Sequence, residues 1–308
     1  MMNNKTGKIT AYTSAGLIVL QLAIAVIVTL LRLIRYGKYG VVAFPIYLTL
    51  ELICMLLFSG IFCIIVSLKK IPPKTLTTLA ILFLVLYSVA MGIIGYSSSL
   101  EYNIANLLRM DFPTLSYLNN MTNLINTPFY AAANILFMFA CGHTAMYGRA
   151  AKTDTPAALR NTRSRIAAYL AIGLTVLQFV IFLAISIIHS IRIRSFALPV
   201  ARSIELILAI LITSVFGILI SFRSMKGKKE IMITLVFMIL YIIFTALTSY
   251  YLGSIEHRIG SSARFYGYYV RTLEISRPVY LLLLPFSIAR NALFSYSLGN
   301  ANMHGKIK

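Results

Sequence analysis

The sequence has no tryptophan, three cysteines and eight carboxylates in 308 residues. Three cysteines cannot build a disulfide framework. Cys54 and Cys63 share one apolar run and would lie roughly 13 Å apart along a helix, too far to bridge. They and Cys141 read as small buried hydrophobes. The missing tryptophan leaves tyrosine to supply any aromatic belt at a membrane surface. Charge is scarce as well: 12% of residues are charged, roughly half the share of a soluble domain.

Catalytic patterns are missing too. No GxSxG, HExxH or P-loop is present, and neither His143 nor His189 has a Cys, His or carboxylate at ligand spacing. The chain is therefore read as a non-enzyme with no cofactor. An intramembrane hydrolase would have only Glu51 and Glu205 to rest on.

What is there in quantity is apolar. Hydrophobic residues make up 59% of the chain, and mean hydropathy is +0.84. A soluble core of this size could not cover so much apolar surface, so the lipid bilayer is the expected solvent. The net charge of +20 comes from 28 basic residues against eight acidic ones. The basic residues fall almost entirely between apolar runs, as in membrane loops held on one side. No nucleic-acid partner is expected, since no zinc-finger, helix-turn-helix or RNP-like pattern accompanies the charge.

Eight apolar runs are long enough to cross a bilayer as helices. They cover about 10–34, 41–68, 76–98, 127–147, 166–190, 197–222, 231–252 and 276–298. The first is longer than a signal-peptide core and is read as a retained anchor. Pro128 and Pro278 are expected at the starts of the fourth and eighth helices, where proline is tolerated. The longest outer loops, 99–126 and 253–275, are the candidates for structure outside the lipid.

The runs come in two sets. Residues 11–24, AYTSAGLIVLQLAI, match 168–181, AYLAIGLTVLQFVI, at eight of fourteen positions, including a Tyr, a Gly and a Gln. Hydrophobicity alone does not place three such residues at equal offsets. Pro45 and Glu51 then match Pro199 and Glu205, and Phe83 and Tyr87 match Phe237 and Tyr241. In the last pair, Pro128 and Tyr130 are matched with Pro278 and Tyr280. The fold class expected is all-α: a polytopic integral membrane protein with eight transmembrane helices as a tandem 4+4 parallel repeat. The halves are 1–150 and 165–308, with a basic cytoplasmic linker at 151–164.

Sixteen of the 28 basic residues fall on the side that carries both termini, ten fall on the other side, and Arg202 and Arg290 lie inside apolar runs. That bias puts the N- and C-termini in the cytoplasm. Asn120 heads a glycosylation sequon on the expected outer side.

Glu51 and Glu205 are the most informative side chains. A carboxylate at the bilayer centre costs at least about 2.5–3.5 kcal/mol and normally faces a bundle interior or a water-filled cavity. Arg202 stands three residues before Glu205, on the same helical face, whereas Leu48 holds the equivalent place before Glu51. The second half is thus expected to hold an Arg202–Glu205 pair and the first a lone carboxylate. Gln21 and Gln178 are equivalent too, and either make interhelical hydrogen bonds or line a central path. Arg290 is expected to snorkel to the cytoplasmic headgroups.

These features point to a small transporter or exporter with a site for a small molecule or ion between two halves. Glu51, Glu205, Arg202, Gln21 and Gln178 are its pathway candidates. A serpentine sensory receptor and a non-transporting membrane scaffold are the alternatives, because fold does not fix function.

Overall fold

The computed structural model describes residues 4–36, 46–67, 71–107, 112–150, 162–192, 200–221, 227–248 and 266–307. Within these helices it describes side chains except at 28–29, 31–33, 35–36, 46–50, 73, 94–107, 112–126, 200–202, 266–281 and 305. The described residues form eight helices and no strand. They are α1 (Lys5–Tyr36), α2 (Ile46–Ser67), α3 (Pro73–Leu107), α4 (Phe112–Ala150), α5 (Thr162–Arg192), α6 (Val200–Ser221), α7 (Gly227–Leu247) and α8 (Tyr266–Ile307).

The described part of each apolar run falls on one of these helices. Six stretches are long and apolar enough to cross a membrane: Lys5–Ile27, Lys74–Ile93, Thr127–Ala150, Thr162–Arg192, Ser203–Ser221 and Gly227–Leu247. The described apolar part of α2, Glu51–Ser67, is shorter. The protein is an integral membrane protein.

Burial follows the logic of lipid rather than of water. The inward stripe of α1 is Ala11, Ser14, Ile18, Gln21 and Ala25. The inward stripe of α5 is as small and polar, with Ala167, Ala171, Thr175 and Gln178 among its buried residues. The large aliphatic residues face outward instead: Val19, Leu20 and Ile27 on α1, and Leu170, Leu177 and Ile188 on α5, are all exposed. In water that arrangement would be costly. In lipid the outer face needs only to be apolar, and small residues let helices approach closely.

Contacts at the helix ends fix the directions. Asn4, just before α1, donates to Thr144 near the end of α4 (3.1 Å). Tyr12 shares a hydrogen bond with Ser67 at the end of α2 (2.6 Å). Thr77 near the start of α3 donates to the Ala145 carbonyl (3.1 Å). The second four helices do likewise, with Tyr169–Ser221 at 2.6 Å, Ser164–Ser297 at 3.0 Å and Asn302–Thr234 at 2.9 Å. Lys306 at the end of α8 donates to Thr6 in the first turn of α1. The odd helices thus start, and the even helices end, at one end of the bundle.

Helices α4 and α8 are central. The apolar stretch of α4 is 78% buried, against 28–33% for the other five spans. α4 packs on α1, α3 and α8, and α8 packs on α4, α5 and α7. The two cross where Gly142 meets the Tyr296 backbone and Gly299 meets the Phe139 backbone. A Cβ on either glycine would collide with the facing carbonyl, so this is a close approach that only glycine permits.

Three expectations are corrected. The stretches expected as long outer loops are partly helical: α3 runs to Leu107, α4 starts at Phe112 and α8 starts at Tyr266. With 39 and 42 residues, α4 and α8 are about 60 Å long, well beyond the roughly 30 Å hydrocarbon layer. Pro128 does not open a helix but lies inside α4, and Pro278 and Pro285 lie inside α8. The register between α4 and α8 also differs from the sequence match. Tyr87 donates to Asn134 and Tyr241 donates to Asn291. The ring of Tyr87 packs 4.5 Å from Phe137, and that of Tyr241 packs 4.5 Å from Phe294. These contacts set Pro128-Phe129 against Pro285-Phe286, two helical turns beyond Pro278. In that register Asn134, Leu136, Phe137, Gly142, Met146 and Gly148 meet Asn291, Leu293, Phe294, Gly299, Met303 and Gly305.

Candidate functional site

Two buried polar clusters occupy contact-equivalent places, one on α1–α4 and one on α5–α8. In the second, Arg290 is the hub. It lies on α8, is only 3% exposed, and its Nη2 stands 3.6 Å from Glu205 Oε1 on α6. Its Nη1 donates to Gln178 Oε1 on α5 (3.4 Å) and its Nε to Asn291 Oδ1 (3.3 Å). Tyr241 on α7 donates to the same Asn291 oxygen at 2.5 Å. Gln178 Nε2 donates to Ser287 Oγ at 2.5 Å and to the Leu283 carbonyl at 3.3 Å, in the turn that contains Pro285. Four helices therefore contribute to one network that pairs a guanidinium with a carboxylate.

The sequence-based expectation for Arg290 is overturned here. It does not snorkel to the headgroups; it is buried against Glu205. A buried carboxylate needs a partner inside the bundle, and a guanidinium offers five donors to several acceptors at once. The Arg202 side chain lies outside the described residues, and so does the expected Arg202–Glu205 contact.

The first cluster has the same acceptors and, among the described residues, no guanidinium. Tyr130 on α4 donates to Glu51 Oε1 on α2 at 2.5 Å. Asn134 Nδ2 donates to the Tyr130 carbonyl at 2.9 Å while its Oδ1 accepts from Tyr87. Glu51 is thus not a lone side chain, but the partner described for it is a neutral phenol. Gln21 on α1 is 1% exposed, and neither of its amide atoms has a partner among the described residues. It lies two turns beyond Ser14 on the same face, and Ser14 donates to the Ala133 carbonyl of α4 at 2.7 Å. Because α1 and α4 run in opposite directions, Gln21 stands at the level of the α4 turn roughly seven residues before Ala133, about one turn beyond Tyr130, which meets Glu51.

The structure therefore places Glu205 and Gln178 together and puts Glu51 beside Tyr130. The described contacts of the two carboxylates go to different helices, α4 for Glu51 and α8 for Glu205. The Asn120 side chain lies outside the described residues. The sequence reading named Arg290 and Tyr130 without these roles and did not single out Asn291, Asn134 or Ser287. The signal for them was the PF pair followed six residues on by Asn, at 128–134 and 285–291.

A second polar layer lies toward the end that gathers the termini. His304 Nδ1 on α8 stands 3.0 Å from Glu230 Oε1 on α7, both buried. His143 Nδ1 on α4 stands 2.8 Å from Asn4 Oδ1. These contacts tie helix ends together and are separate from the two clusters.

No protein-family model matches the chain, and neither a curated protein nor a solved structure shows significant similarity to it. The functional reading rests on the geometry alone.

Proposed function

We propose that the protein is a small multi-pass transporter or exporter built from two equivalent four-helix halves, 1–150 and 165–308, joined by a basic linker. The observation that carries this reading is the pair of partly buried carboxylates at matching places, Glu205 paired with the Arg290 guanidinium and Glu51 hydrogen-bonded, among the described residues, to the neutral Tyr130. Scaffolds need neutral, satisfied glue between helices. A carboxylate without an ionic partner inside a membrane bundle marks a path for ions, protons or charged solutes instead. Rocking of one half against the other about the α4–α8 crossing would alternate access to that path. Both termini are assigned to the cytoplasm, because the bundle end that gathers them also carries the larger share of Lys and Arg. The chain is proposed to be a carrier rather than an enzyme.

The serpentine receptor reading needs an odd number of crossings. The Lys306–Thr6 contact, which brings the end of α8 to the start of α1, argues for an even number. Flux in proteoliposomes tests the proposal. A pH gradient should drive solute movement through the wild type, and Glu51→Gln together with Glu205→Gln should reduce it at least tenfold. Unchanged flux in the double variant would remove both carboxylates from the path. Protection of the C-terminus from protease on the same side as the N-terminus is expected for the even count, and opposite sides would favour a receptor.

A further inference from the structure

We infer that the first half binds a small guanidinium-class cation between Glu51 and Gln21, in the place that Arg290 fills in the second half. This inference names the substrate class for the proposed site and rests on the equivalence of the two halves.

The argument starts from register. The Tyr87–Asn134 and Tyr241–Asn291 bonds make Ala133, just before Asn134, the counterpart of Arg290, just before Asn291. Around Arg290 stand three acceptors: Glu205 Oε1 at 3.6 Å, Gln178 Oε1 at 3.4 Å and Asn291 Oδ1 at 3.3 Å. Glu51, Gln21 and Asn134 hold the same positions in the first half. The acceptors are kept and the cation is not, because Ala133 ends at Cβ.

Two observations independent of the register point the same way. Gln21 is 1% exposed with both amide atoms unpartnered among the described residues, which is costly in lipid unless a ligand satisfies them. Among the described residues Glu51 accepts only from Tyr130, through Oε1, which leaves its second oxygen open to a donor. A planar guanidinium spans a carboxylate oxygen and an amide oxygen, as Arg290 does. Tyr130 stands where the second half has the smaller Ser287, so the space is reduced. The ligand is therefore guanidinium or methylguanidinium in size and not a free amino acid.

The test is thermal unfolding of the full chain in lipid nanodiscs, titrated with millimolar guanidinium or methylguanidinium chloride against potassium chloride of equal ionic strength. The melting temperature should rise saturably with the guanidinium salts only. Glu51→Gln and Gln21→Leu should each weaken the apparent affinity at least tenfold. Ala133→Arg should supply the cation from the chain itself and abolish the response. If that variant does not fold, the Glu51→Gln and Gln21→Leu titrations decide. A saturable shift that survives in Glu51→Gln, or no shift in the wild type, overturns the inference. Labelled guanidinium flux separates it from the transport reading. Binding without flux keeps the cation site and rejects transport, whereas flux of other solutes without guanidinium binding overturns the site and leaves transport standing.

Discussion

Gly142 and Gly299 each lie against the backbone of the other's helix, Gly142 under Tyr296 and Gly299 under Phe139. The two central helices touch main chain to main chain there, so the crossing has no side chain that can yield. Gly142→Ala or Gly299→Ala should cost about 1–3 kcal/mol through forced separation. The double variant should cost less than the sum, because helices spread for one methyl already have room for the second. Thermal unfolding in detergent reads this directly. Strictly additive losses would mean that the two glycines do not share one contact.

The Glu205–Arg290 pair should behave as a buried ion pair. Removing one partner, as in Glu205→Leu or Arg290→Met, should destabilise by about 3–5 kcal/mol, since the remaining charge loses the opposite charge described beside it. Removing both should recover most of that loss. A double-mutant cycle on unfolding measures the coupling, expected to exceed about 3 kcal/mol because the double variant recovers most of two losses of that size. A coupling near zero would mean that Arg290 is held by Gln178 and Asn291 and not by the carboxylate.

The sequence made the helices legible and one packing relationship illegible. Long apolar runs mark helices whatever their neighbours, because lipid requires every backbone group to bond within its own segment. The described part of all eight runs therefore falls on helices. Pairing α4 with α8 failed because both helices are buried on most faces, so no single stripe marks a register. Tyr130 and Tyr280 then supplied a chance match to Pro128 and Pro278. Arg290 was misread for a related reason. An arginine near the inner part of a run looks like a snorkelling residue unless its acceptors are known, and those come from α5 and α6. Glu51 and Glu205 stood out because a carboxylate in lipid has few options. Tyr130 did not, because a tyrosine there has many.

Tyr12–Ser67 and Tyr169–Ser221, both at 2.6 Å, join the first and second helices of each set of four on half-exposed faces. Tyr12→Phe and Tyr169→Phe should each cost about 0.6 kcal/mol, the size of an average interhelical hydrogen bond in a membrane. The two losses should be equal and additive, as the sites share no partner. Melting temperatures of the single and double variants check this. A loss several times larger at one site would show that the two contacts do different jobs.

Gln21 and Gln178 should respond to the same substitution with opposite signs. Gln178 bonds Arg290, Ser287 and the Leu283 carbonyl, so Gln178→Leu strips three partners and should destabilise by about 1–3 kcal/mol. Gln21 is buried with neither amide atom partnered among the described residues. Gln21→Leu removes an unmet desolvation cost of similar size, and should stabilise the ligand-free protein. The glutamine then costs stability in the ligand-free protein, a trade expected where a side chain serves binding. Unfolding of both variants without ligand decides the point. If Gln21→Leu destabilises as Gln178→Leu does, Gln21 already has a protein partner and the vacant acceptor disappears from the argument. If it stabilises while losing the guanidinium response, stability and binding trade against each other at one side chain, as expected of a binding residue and not of structural glue.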